Sequence, residues 1–204
     1  MFLYVYNTCI CYYENINGIV KDISSEISFD LPTNMSWCRL KDIILDLTDG
    51  THKTPKYTEK GIPFISVKNC SSGKLSFHDI KYISEIEHKE LIARCNPQKG
   101  DMLLTKVGTT GIPVYIETDK EFSIFVSVAL LKFNHNYILP EYLLYLLKSP
   151  LVQKQAMENT KGVGNKNWVL SDIARTLVVL PSYDMQKKIA LKLSDIFSKI
   201  KAEN

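Results

Sequence analysis

The chain has 204 residues, 45% of them hydrophobic and 23% charged. That is the balance of a packed globular protein and excludes disordered, collagen-like and membrane-spanning classes. A net charge of +3 is only mildly basic, so charge alone does not mark a nucleic-acid binder. Nearly all the positive charge is lysine, since the only arginines are Arg39, Arg94 and Arg175. Base reading therefore cannot lean on many bidentate arginine–guanine pairs.

Residues 1–13 are apolar but too short to span a bilayer, and they lack a basic leader. Residues 14–36 read as a polar linker, and compact structure is expected from Trp37. Leu40, Ile43, Ile44 and Leu47 fall at helical spacing, with a pair of strands as the alternative. A polar loop follows, Asp49-Gly50-Thr51-His52-Lys53-Thr54-Pro55, rich in hydroxyl and ammonium donors. Its glycine and proline fix turns.

Ile62 to Val67 reads as a strand, Cys70 to Lys74 as a turn, and Ile83 to Arg94 as a helix. Ser84 and Glu87 give that helix a capping-box pattern. Asp101–Val107 and Ile112–Glu117 predict a β-hairpin joined by Gly108-Thr109-Thr110-Gly111. Phe122 to Phe133 reads as one long central strand. Helices are expected from Pro140 to Lys148 and from Leu151 to Asn159, broken by Ser149-Pro150. A glycine-rich basic loop, Lys161 to Trp168, precedes a buried strand at Thr176–Leu180. From Asp184 the chain reads as one amphipathic helix. Its Ile189, Leu193, Ile196 and Ile200 step by four, three and four, the spacing of a helix–helix seam.

Five cysteines stand at irregular spacing with no CxxC pair, which predicts reduced, mostly buried thiols and no zinc site. Lys161–Trp168 lacks the third glycine of a dinucleotide fingerprint and any Walker Lys-Ser/Thr pair, so nucleotide binding is rejected. Its lysines and amides suit a phosphate backbone instead, and Asn165 and Asn167 suit an adenine edge. The loops at Thr51–Thr54, Lys106–Gly111 and Lys161–Asn167 share one chemistry of Lys, Thr, Asn and Gly. Candidate DNA contacts are Thr51, His52, Lys53, Thr54, Lys106, Thr109, Thr110, Lys161, Asn165, Lys166 and Asn167. The enzymatic alternative is a metal-dependent endonuclease using Asp79, Glu87 and Lys89. It suffers because Glu87 and Lys89 are two apart in an expected helix and so do not face each other. No motif for a hydrolase elbow or a zinc protease is present.

Several blocks together resemble the specificity subunit of a type I restriction-modification enzyme. Trp37-x-Arg39-Leu40-x-Asp42-Ile43 is similar to the opening of that family's target-recognition domain. The most specific block is Asp49 to Pro55 followed by Gly61-Ile62-Pro63-Phe64. Further blocks follow in the family's order: Lys99-Gly100-Asp101 through Gly111, Phe125 to Leu130, Tyr142 to Pro150, Thr160-Lys161-Gly162 and Leu170-x-Asp172-Ile173. Leu180-Pro181 to Ile189 resembles the start of its spacer helix.

The resemblance implies an α+β fold, a mixed β-sheet target-recognition domain with flanking helices and a C-terminal coiled-coil-type helix. It implies a lead-in at residues 1–36, a recognition domain at 37–182 and a truncated spacer helix at 183–204. It also implies a non-catalytic, cytoplasmic subunit that reads half of a bipartite site in double-stranded DNA. That subunit works with a methyltransferase subunit and a translocase-nuclease subunit. No cofactor or metal is expected in this chain; S-adenosylmethionine, ATP and Mg belong to the partner subunits. The family usually carries two recognition domains and two spacer helices, and one of each is seen here. A half-subunit that pairs with itself and a fragment or rearranged segment of a longer subunit both remain open.

Overall fold

The computed structural model describes residues 6–7, 10–162 and 166–202. The chain opens with a short antiparallel pair, β1 (Tyr6–Asn7) and β2 (Ile10–Cys11). A hairpin follows, β3 (Tyr13–Ile16) against β4 (Ile19–Asp22). Asn17 and Gly18 form its turn with φ of 52° and 87°. Asn-Gly is the dipeptide that tolerates two left-handed residues in a two-residue hairpin. The linker expected at 14–36 is therefore structured over much of its length. Ile23 is fully buried and shares a small core with Trp37 and Leu177. Residues 35–39 form β5 (Met35–Arg39), so the boundary expected at 36 falls inside a strand.

After β5 a 3-10 turn at Leu40–Asp42 leads to β6 (Asp46–Asp49). The helix suggested by the 40–47 spacing does not form. Leu40 is buried in the core, and the Leu45 amide donates to the Lys132 carbonyl at 2.7 Å. Pairing of β6 with a buried neighbour outweighs the local period. Then come β7 (Tyr57–Thr58), β8 (Ile62–Ile65), β9 (Lys81–Ile83) and α1 (Glu85–Ile92). Ser84 caps α1 by accepting from the Glu87 amide, as expected. The Glu87 carboxylate accepts instead from the Lys56 amide, at 3.2 Å.

The predicted hairpin is present as β10 (Met102–Thr105) and β11 (Pro113–Tyr115). The long strand expected at 122–133 is broken. Ser123–Ile124 is β12 and Val128–Lys132 is β13. Between them the Val128 amide donates to the Phe125 carbonyl at 2.9 Å, closing a turn. Helices α2 (Pro140–Lys148) and α3 (Pro150–Asn159) form where the two prolines start them. A short helix, α4 (Leu170–Arg175), precedes β14 (Leu177–Pro181) and α5 (Tyr183–Ala202).

Two four-stranded sheets carry the fold, in the orders β11-β10-β13-β6 and β12-β8-β9-β7. The pair β14-β5 stands beside them. The first sheet is buried on both faces. Met102, Leu104, Ala129 and Leu131 point into a core with α2, α3 and α4. Leu103, Val128 and Leu130 point the other way, onto Ile65, Phe122 and Ile124. This explains why β10 and β13 read as unbroken apolar runs. Each such leucine contributes about 1.5–3 kcal/mol by leaving water. The turn at residues 125–127 links the two sheets, because β12 belongs to one and β13 to the other.

Candidate nucleic-acid interface

Loop 50–54 leaves the end of β6 and is bonded at once to the turn between β12 and β13. The Thr51 amide donates to the Ile124 carbonyl at 3.1 Å, and the Val126 amide to the Thr51 carbonyl at 3.0 Å. Gly50 is required there, since a Cβ would lie 2.0 Å from the Ile124 carbonyl oxygen. The Lys53 amide donates to Thr51 Oγ1 at 3.2 Å, which curls the loop tip. His52, Lys53 and Thr54 are exposed, and Pro55 is buried as the loop's far anchor.

The same turn receives the hairpin tip. The Lys106 amide donates to the Ser127 carbonyl at 2.9 Å, and Ser127 Oγ accepts from the Val67 amide at 3.0 Å. Gly108 and Gly111 both hold φ at +84°, a left-handed conformation that glycine adopts freely. The hairpin tip in turn holds the third loop. The Gly108 amide donates to the Lys166 carbonyl at 2.9 Å, and the Trp168 amide to the Lys106 carbonyl at 2.8 Å. Lys161 and Asn167 exchange backbone hydrogen bonds of 3.1 and 2.8 Å and close that loop at its base. Trp168 is fully buried and anchors it. Thr160 Oγ1, which donates to the Ala156 carbonyl, lies 3.4 Å from Thr110 Oγ1.

A chain of backbone bonds therefore runs from Thr51 through Ser127 and Lys106 to Lys166 and Asn167. It joins the three loops that share a composition in the sequence. Thr109, Lys161 and Lys166 are exposed, and Thr51 and Thr110 are half-buried. Asn167 is half-buried, and its Oδ1 is shielded with no hydrogen-bond partner among the described residues. Asn165 lies outside the described residues. Lys106 differs from the expectation of a solvent-facing ammonium. It is 3% exposed, and its Nζ lies 3.3 Å from Asp49 Oδ2 and donates to the Val126 carbonyl at 3.3 Å. Burial in that position requires a counter-charge, so the charge serves the base of the loops.

Asp49 is the common root. Its carboxylate also meets His52 Nε2 at 3.2 Å and Arg94 Nη1 at 3.4 Å. Arg94 Nη2 further donates to the Asp49 and Gly50 carbonyls, each at 2.6 Å. Asp49, Arg94 and Ser127 are the site residues that sequence reasoning missed. A hydroxyl inside the apolar run 122–133 and one of only three arginines were the available signals.

The residues of the endonuclease alternative are differently occupied. Asp79 is an exposed turn residue at φ 50° that pairs with His78 at 3.0 Å. Glu87 is engaged with the Lys56 amide. Among the described residues, no group of three or more His, Cys, Asp or Glu is placed to hold a metal ion.

Known proteins match this architecture. The family model for the type I restriction modification DNA specificity domain matches residues 32–204. The type I restriction enzyme EcoBI specificity subunit of Escherichia coli is 28% identical over 141 residues, 68% of this chain and 29% of that protein. A chain from a structure on complex assembly and conformational transition of the type I R-M system superposes with a TM-score of 0.66 at 19% identity. It covers 86% of this chain and 41% of that one. The HsdS subunit from Thermoanaerobacter tengcongensis superposes with a TM-score of 0.60 at 16% identity, covering 87% of this chain and 46% of that one. The chain thus spans less than half the length of these relatives.

Proposed function

We propose, from the premise that the chain belongs to the type I restriction modification DNA specificity domain family, that it is a non-catalytic DNA-recognition subunit. It binds double-stranded DNA in a sequence-specific way and directs methylation and cleavage by partner subunits. The observation that carries this reading is the hydrogen-bonded continuity of the three donor loops, from Thr51 to Asn167. Phosphate contacts from Lys53, Lys161 and Lys166 would set the register on the duplex. Thr51, His52, Thr54, Thr109, Thr110, Asn165 and Asn167 offer donors, acceptors and methyl groups to base edges. Lys106 supports this surface from beneath.

The recognition unit takes in residues 37–182, and the lead-in at 1–36 is fastened to it. Arg39 Nε meets Glu14 at 2.9 Å and Nη1 meets Glu26 at 2.7 Å. Helix α5 (Tyr183–Ala202), within the segment 183–204, is the spacer through which a methyltransferase subunit, or a second copy or half-subunit, is held. A translocase-nuclease subunit completes the complex for cleavage. S-adenosylmethionine, ATP and Mg are bound by those partners. Among the described residues no helix is long and apolar enough to cross a membrane, and we place the complex in the cytoplasm.

The decisive experiment is reconstitution of the chain with a matching methyltransferase subunit, followed by mapping of methylated adenines. One sequence-defined pattern is expected. Methylation that follows no sequence, or none in an assembled complex, would refute the proposal.

A further inference from the structure

Beside loop 50–54 lies a cleft of about 340 Å³ between that loop and α1, lined by Thr51, His52, Lys53, Glu90 and Arg94 among others. The charges around it do not cancel. Glu90 is the carboxylate in its lining, and Asp49, its side chain 5% exposed, meets both the lining Arg94 and the buried Lys106. Lys106 is the more deeply buried of the two cations, with its side chain 4% exposed against 55% for Arg94. Desolvation makes the buried ammonium depend on Asp49, because an unpaired charge there is costly. The carboxylate is thus committed largely to Lys106. Arg94 keeps an excess of positive charge at the cleft wall.

The guanidinium is also held in one orientation. Both Nη2 protons go to the carbonyls of Asp49 and Gly50, at 2.6 Å each. Among the described residues Nε has no protein acceptor, and Nη1 has only the 3.4 Å contact with Asp49. Held by main-chain carbonyls and half exposed beside Lys53 and His52, the guanidinium keeps Nη1–H and, separately, Nε–H to offer to an anionic oxygen. We propose that Arg94 is a DNA-contacting residue. In this assignment the cleft between loop 50–54 and α1 seats a backbone phosphate of the duplex, gripped by Arg94 and Lys53. The inference rests on the DNA-recognition reading and extends the interface from the loops to the C-terminal end of α1.

Two measurements on the full chain test it. In the first, the unaltered protein is treated with an arginine-selective dicarbonyl reagent, with and without saturating duplex DNA, and modified sites are mapped by mass spectrometry. Arg94 is expected to be protected by DNA; equal modification in both samples would overturn the proposal. In the second, duplex affinity is followed against salt for the unaltered chain, Arg94→Gln and Arg94→Lys. Arg94→Gln is expected to reduce the log–log salt slope by about 0.9, the share of one phosphate contact. Arg94→Lys is expected to keep the slope while binding more weakly, because it keeps the charge and loses the orientation fixed by the Asp49 and Gly50 carbonyls. An unchanged slope in Arg94→Gln, with salt-dependent binding by the unaltered chain, sinks this inference and leaves the DNA-recognition reading standing. Absence of duplex binding by the unaltered chain sinks both.

Discussion

The Nζ of Lys106 lies 3.3 Å from Oδ2 of Asp49, and the two side chains are 4% and 5% exposed. Lys106 stands just beyond β10 and Asp49 ends β6, and β13 separates these strands in the sheet. The pair thus joins two recognition loops across a strand. Its two members are not equivalent. Asp49 has Arg94 and His52 as further partners, whereas among the described residues Lys106 Nζ has only the Val126 carbonyl besides.

Removing the carboxylate should therefore cost more than removing the ammonium. Asp49→Ala leaves a buried cation unpaired, a change worth about 3–5 kcal/mol. Lys106→Met leaves a carboxylate that Arg94 and His52 still meet, and the expected loss is about 1.5–3 kcal/mol. Urea denaturation midpoints of the two variants check the order. A Lys106→Met chain less stable than Asp49→Ala would show that the charge assignment is inverted.

The lead-in should give the fold an acid-sensitive fastening. Hydrogen bonds from Arg39 hold the Glu14 carboxyl below the ordinary glutamate range, against the upward push of burial. At Glu26 burial pushes the carboxyl up most, but Arg39 and Lys21 together outweigh it and leave it lowered. A carboxylate whose folded pKa is depressed stabilises the fold above its unfolded pKa and loses that contribution as pH falls through the folded value. Stability should then fall as pH drops below the ordinary glutamate range, about 4.3. In Glu14→Gln the fall should be shallower, with lower stability at neutral pH. Melting temperatures between pH 3 and pH 7 would reveal it; parallel curves for the two proteins would remove Arg39–Glu14 from the acid response.

Helix α5 is divided in its duties, which sets a third expectation. Near its start Gln186 accepts from the Leu139 amide at 2.9 Å and donates to the Tyr137 carbonyl at 3.0 Å, and Ile189 packs on the core. Farther on, the Phe197 ring stacks on Tyr145 at 5.8 Å, while Ile196 and Ile200 remain 40% and 49% exposed. The seam read from Ile189, Leu193, Ile196 and Ile200 thus begins inside its own domain. Ile196→Lys should abolish association with a partner helix and leave the melting temperature within about 1 kcal/mol of stability of the parent, as surface changes do. Ile189→Ala should destabilise the chain by about 2 kcal/mol, the low end for core truncation, since Ile189 is partly buried. Sedimentation velocity beside thermal melts separates the two effects.

Where local chemistry determined structure, the sequence was readable. Pro140 and Pro150 start α2 and α3, Ser84 caps α1, and the glycines at 108 and 111 turn the hairpin. Where distant pairing decided, it was not. Leu40 to Leu47 has a helical period, but β6 is claimed by β13 more than eighty residues later. Phe122 to Phe133 has polar residues only at Ser123, Ser127 and Lys132, and Ser127 lies where the chain changes sheets. The loops of the site were legible by composition. Their joining was not, because it depends on Ser127 meeting Val67 and Lys106, and Asp49 meeting Arg94 and Lys106, across long separations. The exposure of a lysine was equally hidden: Lys53 and Lys106 read alike in sequence, and one faces water while the other is buried.

That contrast yields the sharpest test of which charges face DNA. Lys53 is exposed at the tip of loop 50–54, and its own amide, not its ammonium, holds the loop through Thr51 Oγ1. Lys53→Ala should leave the melting temperature nearly unchanged and lower duplex affinity. It should also reduce the salt slope by about 0.9, with a similar loss on every sequence, since phosphate contacts carry no base information. Lys106→Met should behave in the opposite sense: a lower melting temperature, and a loss of binding that follows the loss of fold instead of the salt concentration. Fluorescence anisotropy at several salt concentrations, on duplexes of differing sequence, distinguishes them. If Lys53→Ala bound every duplex with the parent's affinity and slope, loop 50–54 would not lie on the phosphate backbone, and the loops joined from Thr51 to Asn167 would have to face something else.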